Sequence, residues 1–352
     1  MASSGKAELQ GATPKAADIL QPARRQSDIP PTVDKAAKRE KLSFGPFTVP
    51  GRNATIPDAE KGMDHDSVQF NNMLSGFCDD CTVLLGQASL SFVNGTQADP
   101  SRGIYQHHIV LLDMQKYNVP FYICPKQGTP LGVVPQAGFM VSGATAGVEP
   151  NLFSTNDPAN PSGYSIPKQA EPRSYFLQSE VVNYNDAPQD IYVTFEVEYL
   201  PGAKLAKYRD TAVSLLSVTG CGWPDYKAVI NETRYSTSSP TATMPKSGVL
   251  LNAKGHLHDG ATHAELYLNG ISVCNSQANY VPIGKDAGMA MGKFDTIGNM
   301  TRCEDQVRFE KGQEVHMTSF YDMDEHPMRM GGSGEPGDQM GVYFLVIAPD
   351  GE

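Results

Sequence analysis

Tyr192-Val193-Thr194-Phe195-Glu196-Val197-Glu198-Tyr199 is the stretch whose reading decides the fold class. It is β-branched and aromatic, the composition that half-buried strands favour. Working outward, Thr82 to Val93 gives a long strand signal with a bulge expected at Gly86. Ile104 to Leu112, Val119 to Cys124 and Tyr175 to Tyr184 continue the series, and Ser43 to Pro50 opens it as an extended segment. Val213 to Val218, Gly248 to Lys254, His263 to Leu268, Val315 to Tyr321 and Gly341 to Ala348 repeat the pattern later. Leu268-Asn269-Gly270-Ile271 marks a hairpin, since Asn-Gly accepts the positive φ of a type I′ turn. From Gln127 to Gln169 the chain is rich in Gly, Pro, Ser and Asn and reads as long loops. No segment holds a helical period over three turns.

With 352 residues the chain exceeds the size at which one core stops growing. The expectation is an all-β protein of two consecutive antiparallel jelly-roll-like β-sandwich domains, with a disordered N-terminal segment. The ranges are 1–42 for the disordered leader, 43–205 for the first sandwich and 206–352 for the second. The sandwiches should meet near Pro201 to Tyr208.

A net charge of −11 argues against a nucleic-acid partner, whose phosphates demand clustered Lys and Arg. No apolar run approaches the roughly 20 residues of a membrane span. The first 42 residues contain no apolar stretch of the kind a secretory signal needs. Export is nevertheless suggested by four N-glycan sequons, at Asn53, Asn94, Asn231 and Asn299, and by six cysteines. The expected location is therefore extracellular or the secretory pathway. Cys274 and Cys303 bracket a loop-rich stretch, and a bridge between them would add about 3 kcal/mol. Structural bridges are expected among Cys78, Cys81, Cys124 and Cys221, with connectivity open.

Metal-ligating residue types recur in a defined order. His256 and His258 sit two apart at a strand end, so both side chains project to one face and form a clamp. Met340 follows a glycine-rich approach and offers a thioether, although Met323, Met328 and Met330 lie nearby as rivals. Imidazole with thioether favours copper over zinc, because soft sulfur stabilises Cu(I). His107 and His108 are adjacent, and adjacent strand residues point to opposite faces, so joint ligation demands a bend or the use of different ring nitrogens. His263, His316 and His326 rank below these pairs.

His-His, then His-x-His, then Met before a final apolar strand resembles the order in the ascorbate-dependent type II copper monooxygenases, the peptidylglycine α-hydroxylating and dopamine β-hydroxylating enzymes. Tyr105-Gln106-His107-His108, Gly255-His256-Leu257-His258-Asp259-Gly260 and Met340-Gly341-Val342-Tyr343-Phe344 resemble more nearly the stress-up-regulated nodulin-like proteins of plants and fungi. The likeness runs loosely from about Ser43 to Pro349. It implies a copper on each of two sandwiches, facing across a cleft. His107 and His108 would then lie at an electron-relay copper, and His256, His258 and Met340 at an oxygen-activating one. Where the monooxygenases carry a third histidine in the relay site, this chain offers Glu198, or Asn183 by another alignment. A carboxylate there favours Cu(II) or a harder metal.

Three functions follow. One is a copper-dependent oxygenase that hydroxylates a small-molecule substrate with O2 and ascorbate or another reductant, holding one or two copper ions. The second is a secreted, non-catalytic copper-binding protein; the third is a sandwich scaffold without metal. Arg302, Arg308 and Arg329 are candidates by location for gripping a substrate. The sequence does not fix the oligomeric state.

Overall fold

The computed structural model describes residues 19–26, 29–62, 66–116, 138–144, 150–155, 160–203, 207–222, 224–229, 231–282, 295–328 and 337–350. Among these there are strands and two short 3₁₀ turns but no α-helix, and the strands fall into four sheets. The first sheet runs Ile19–Leu20, Ser67–Leu74, Tyr175–Asn183, Ile104–Asp113, Gly138–Ala144. The second runs Arg209–Asp210, Ser162–Ile166, Cys81–Phe92, Gln189–Pro201, Lys38–Val49, Arg24–Gln26. The third centres on Ala212–Ser217, Gln339–Pro349 and Gly248–Leu257, and the fourth on Arg234–Ser238, Glu314–Asp322, Ala261–Leu268, Ile271–Pro282 and Asp295–Met300. Nearly all pairings are antiparallel, as β-sandwiches require.

Alternation assigns the faces. On Gln189–Pro201, Val193, Phe195 and Val197 enter a core shared with Val181, Ile109 and Leu111 of the facing sheet. Thr194, Glu196 and Glu198 therefore lie on the outer face. On Tyr175–Asn183, Leu177 and Val181 point inward, while Glu180 and Val182 point outward. The strand Gln339–Pro349 is buried on both faces. Leu345 and Ile347 enter the second core, whereas Val346 and Ala348 join the first. The third sheet thus packs its other face on the first half of the chain. Asn252 Nδ2 donates to the Leu152 carbonyl at 2.8 Å and Arg302 to the Pro150 carbonyl at 2.6 Å across the same junction.

Several expectations shift. Residues 19–42, expected inside a disordered leader, contribute Ile19–Leu20, Arg24–Gln26 and the start of Lys38–Val49; residues 1–18 lie outside the described set. Part of the Gly- and Pro-rich region forms strands after all, at Gly138–Ala144, Asn151–Leu152 and Ser162–Ile166. These are short or peripheral strands, whose pairing supplies the order that local composition does not. The strand expected at Val119 to Cys124 lies outside the described residues. The bulge in Cys81–Phe92 falls at Leu84, between the pairs Glu198↔Leu85 and Tyr199↔Val83. Gly86 serves another purpose: a Cβ there would stand 2.6 Å from Val141 Cγ2, so glycine lets the sheets approach. Asn269 (φ 47°) and Gly270 (φ 75°) form the expected hairpin turn.

Disulfides join Cys78 to Cys81 and Cys274 to Cys303, and Cys221 is also disulfide-bonded. No described helix is long and apolar enough to cross a membrane.

Candidate metal centre

His107 and His108 reach one face through a bulge. In the pairing of Ile104–Asp113 with Tyr175–Asn183, Glu180 sits opposite His108 and Val181 opposite Gln106. His107 is the extra residue, and such a residue locally re-aims its side chain. Both imidazoles consequently meet the outward Glu180: His107 Nδ1 lies 2.9 Å from Oε1 and His108 Nε2 3.0 Å from Oε2. Ser67 Oγ donates to Glu180 Oε1 at 2.6 Å from the neighbouring strand. His107 and Glu180 are fully buried.

The second half delivers two more imidazoles to the same place. His256 pairs with Val342 on the face that carries Phe344 and Val346 toward the first half. His258, two residues on, continues that face into a turn. The turn is pinned on several sides. Asp259 accepts N–H from Ile297 at 3.0 Å and O–H from Thr296, and its carbonyl accepts from Gln339 Nε2 at 3.1 Å. Gly260 (φ +99°) takes the left-handed conformation that closes the turn.

The result is one cluster drawn from both halves. His107, His256 and His258 offer ring nitrogens all within 4.8 Å of one another, and two ring nitrogens of His107 and His108 lie as close to each other and to a carboxylate oxygen of Glu180. His107 Nε2 and His258 Nε2 stand 2.9 Å apart. The other nitrogen of each ring faces an acceptor. His258 Nδ1 is 2.6 Å from the Asp338 carbonyl, an acceptor only, so Nδ1 must carry the proton there. His107 Nδ1 faces the Glu180 carboxylate, again an acceptor. With neutral rings, two Nε2 lone pairs would confront each other at hydrogen-bond distance. A cation between them, a proton or a metal ion, removes that repulsion. Two nitrogens bound to one ion at roughly 2.0–2.1 Å lie about 3 Å apart when the bonds meet near a right angle. The observed spacing fits.

His256 adds an independent sign. It is 4 % exposed and neither ring nitrogen has a hydrogen-bond partner. Buried polar atoms are ordinarily paired, so two bare ring nitrogens at this depth mark His256 as a candidate ligand. Burial, then the charges of His258, His107 and His108, push its pKa well below the ordinary 6.5 and keep it in the unprotonated, metal-binding form. Glu180 moves oppositely to what burial demands. Desolvation would raise it, but the charges and hydrogen bonds of His107 and His108 hold it well below the usual carboxylate range.

Met340 lies two residues before Val342, so alternation places it on the face that carries His256; it is buried. Glu198 is elsewhere. On the outer face of the opposite sheet, its oxygens accept N–H from Thr32 (2.6 Å), Val33 (2.6 Å) and Asp34 (2.9 Å), and it joins no ligand cluster among the described residues. The alternative, Asn183, donates to the carbonyls of Val49, Pro50 and Ala187. His263, His316 and His326 stack on Phe320, Tyr267 and Tyr280 respectively. Arg302 binds Glu304 as well as Pro150, Arg308 binds Glu310 and Asp350, and Arg329 lies outside the described residues. Sequence reasoning missed Glu180 and Ser67. The usable signal was a glutamate directly before two valines in a strand, Glu180-Val181-Val182.

No protein-family model matches the chain. It is 24 % identical over 318 residues to "Probable copper-dependent oxygenase M1" of Phoma sp. (strain ATCC 20986 / MF5453), covering 90 % of this chain and 74 % of that protein. It is also 24 % identical over 260 residues to "Probable copper-dependent oxygenase clz3" of Cochliobolus lunatus, covering 74 % of this chain and 77 % of the relative. Among solved structures, "Structure of PNGF-II in P21 space group" overlays 89 % of this chain and 66 % of its own at a TM-score of 0.36 and 8 % identity, too distant to inform the fold.

Proposed function

We propose that this protein is a copper-dependent oxygenase with a single copper centre held by His107, His256 and His258, one ligand from the first half and two from the second. The observation that carries this reading is the pair of Nε2 atoms opposed at 2.9 Å, with His258 Nδ1 on the Asp338 carbonyl and His107 Nδ1 facing the Glu180 carboxylate. Relatives named as copper-dependent oxygenases make copper the favoured metal, and Met340 is the proposed thioether donor alongside the three imidazoles. Glu180 and the Asp338 carbonyl hold the rings in orientation, as carboxylates and carbonyls do behind metal-bound histidines. Copper would supply the one-electron chemistry that dioxygen needs, with ascorbate or a similar reductant as electron source and a small molecule as the hydroxylated substrate. Monooxygenase ancestry is part of the reading, modified in one respect: His107 leaves the relay pair to join the second-half ligands, and His108 turns to Glu180. The disulfides fit an oxidising compartment and support export.

The test is copper stoichiometry with paramagnetic resonance on the full-length protein. One Cu(II) per chain with three-nitrogen hyperfine structure, lost in His107→Ala and in His256→Ala alike, is the expected result. Two independent coppers, each lost with only one of those substitutions, would overturn the shared centre. Oxygen consumption with ascorbate then separates an oxygenase from a copper carrier, because a carrier would bind the ion and consume no substrate-coupled oxygen.

A further inference from the structure

Gly260 closes the His258 turn, and the side chains that crowd it are sulfur-bearing. A Cβ on Gly260 would collide with Met323 Sδ and stand 3.3 Å from Met328 Cγ. The amide of Gly260 donates to Tyr280 Oη at 3.0 Å, and the ring of His326 stacks on Tyr280 at 3.7 Å. Met323, His326 and Met328 belong to one turn, Met323-Asp324-Glu325-His326-Pro327-Met328, whose fold is fixed by the His326 amide donating to the Asp322 carbonyl at 2.9 Å.

Met323 packs on the margin of the second core, and these two methionines differ from the interior ones in exposure. Met244, Met300 and Met317 are 0–4 % exposed inside the second core. Met323 and Met328 are only half-buried, in a turn lined by the acidic Asp322, Asp324 and Glu325. Thioethers are neutral, soft and unprotonated at any biological pH, so they select Cu(I) over Cu(II) and over the harder divalent ions. Neighbouring carboxylates raise the local concentration of cations.

We propose that Met323 and Met328, with the imidazole of His326 on the same turn, form a second, surface Cu(I) site that loads the buried centre through the His258 turn. Binding at this turn stands independently of the proposed centre; only the onward transfer rests on it. No electron is exchanged in the step: Cu(I) leaves a thioether pair and enters an imidazole set as Cu(I).

The test is a Cu(I) competition titration of full-length protein carrying His256→Ala, His258→Ala and Met340→Leu, with selenomethionine labelling and copper-edge X-ray absorption. One Cu(I) equivalent with selenium in its first shell is expected to persist, and adding Met323→Leu with Met328→Leu should remove it. Loss of all Cu(I) in the centre-deleted protein, or an equivalent unaffected by the leucine pair, would overturn the site. Should the centre-deleted chain fail to fold, wild type already holding copper at its centre is titrated instead. One further Cu(I) that disappears in Met323→Leu/Met328→Leu supports the site, and no further Cu(I) rejects it. For transfer, the leucine pair should slow filling of the centre and leave its final occupancy unchanged. Equal filling rates would reject the loading role.

Discussion

Glu180 and Glu198 are both fully buried carboxylates, on the outer faces of the two sheets of one sandwich. Each would be costly to bury unpaired. What differs is who covers them. Glu198 is covered by the N-terminal segment, and three successive backbone amides, Thr32 to Asp34, donate to it. Glu180 faces two imidazoles and a serine hydroxyl at the junction with the second half. Amides of a main chain can do one thing with a carboxylate, which is to be held by it. Imidazoles can pass the interaction on, because a proton fixed at Nδ1 frees Nε2 for a ligand. The same residue type thus anchors a chain segment on one side and orients a centre on the other.

Glu198→Gln should give the largest effect. An amide nitrogen would face backbone donors, leaving N–H groups unsatisfied at a cost of about 2–4 kcal/mol. The loss is capped because the segment can swing into water, so proteolysis should cut first near Thr32. Copper affinity should not change. A fall in copper affinity without a fall in the urea midpoint would erase the distinction between the two glutamates.

Glu180→Gln should act in reverse order. The amide oxygen still accepts from His107 but withdraws the negative charge behind the ring, and copper affinity should fall roughly 10–100-fold, the usual consequence of losing a partner behind a metal-bound imidazole. Competition titration measures it. Unchanged affinity would reduce Glu180 to a structural partner of His108.

Gly62→Ala approaches Glu180 sterically. A Cβ at Gly62 would collide with Ser67 Oγ and the Glu180 carboxyl group. Overpacking of this kind costs about 1–3 kcal/mol, and part of it should appear as a several-fold loss in copper affinity as the carboxylate is displaced. Stability loss with unaltered affinity would show that the carboxylate yields without moving the ring of His107.

The sandwich fold was legible because strand composition and alternation are local properties, as Val193, Phe195 and Val197 illustrate. The Asn269-Gly270 turn was legible for the same reason. The clamp of His256 and His258 could be read from a spacing of two. Its meeting with His107 could not, since that depends on how the third sheet packs against the first half. Adjacency of His107 and His108 argued for opposite faces, and only the bulge against Val181 brings both to Glu180. Glu198 misled because alignment by neighbouring residues takes no account of which sheet face the strand presents. The early strands were missed because Ile19–Leu20 and Arg24–Gln26 owe their order to pairing partners, Met73 with Leu74 and Leu42 with Ser43, far along the chain.

Acidification should separate the members of the Glu180 centre from one another in the copper-free protein. His256 is held well below its ordinary 6.5 by burial and by neighbouring imidazoles. Below that value the unfolded chain takes up a proton at His256 that the folded protein refuses. The unfolded state then binds more protons, so stability falls as pH falls, by at most about 1.4 kcal/mol per pH unit for this one group. Glu180 has the other window. Its depressed carboxyl contributes stability that is complete above the ordinary 4.5 and is lost as pH drops below it. Urea unfolding at pH 7.5, 5.5 and 4 should therefore show two successive losses. His256→Asn should flatten the first and remove its continuation below pH 5.5, while Glu180→Gln should remove only the part of the second loss that opens below 4.5. A first loss that survives His256→Asn would mean that this imidazole is not the one kept neutral by burial, and the argument that it stands ready as a ligand would fail with it.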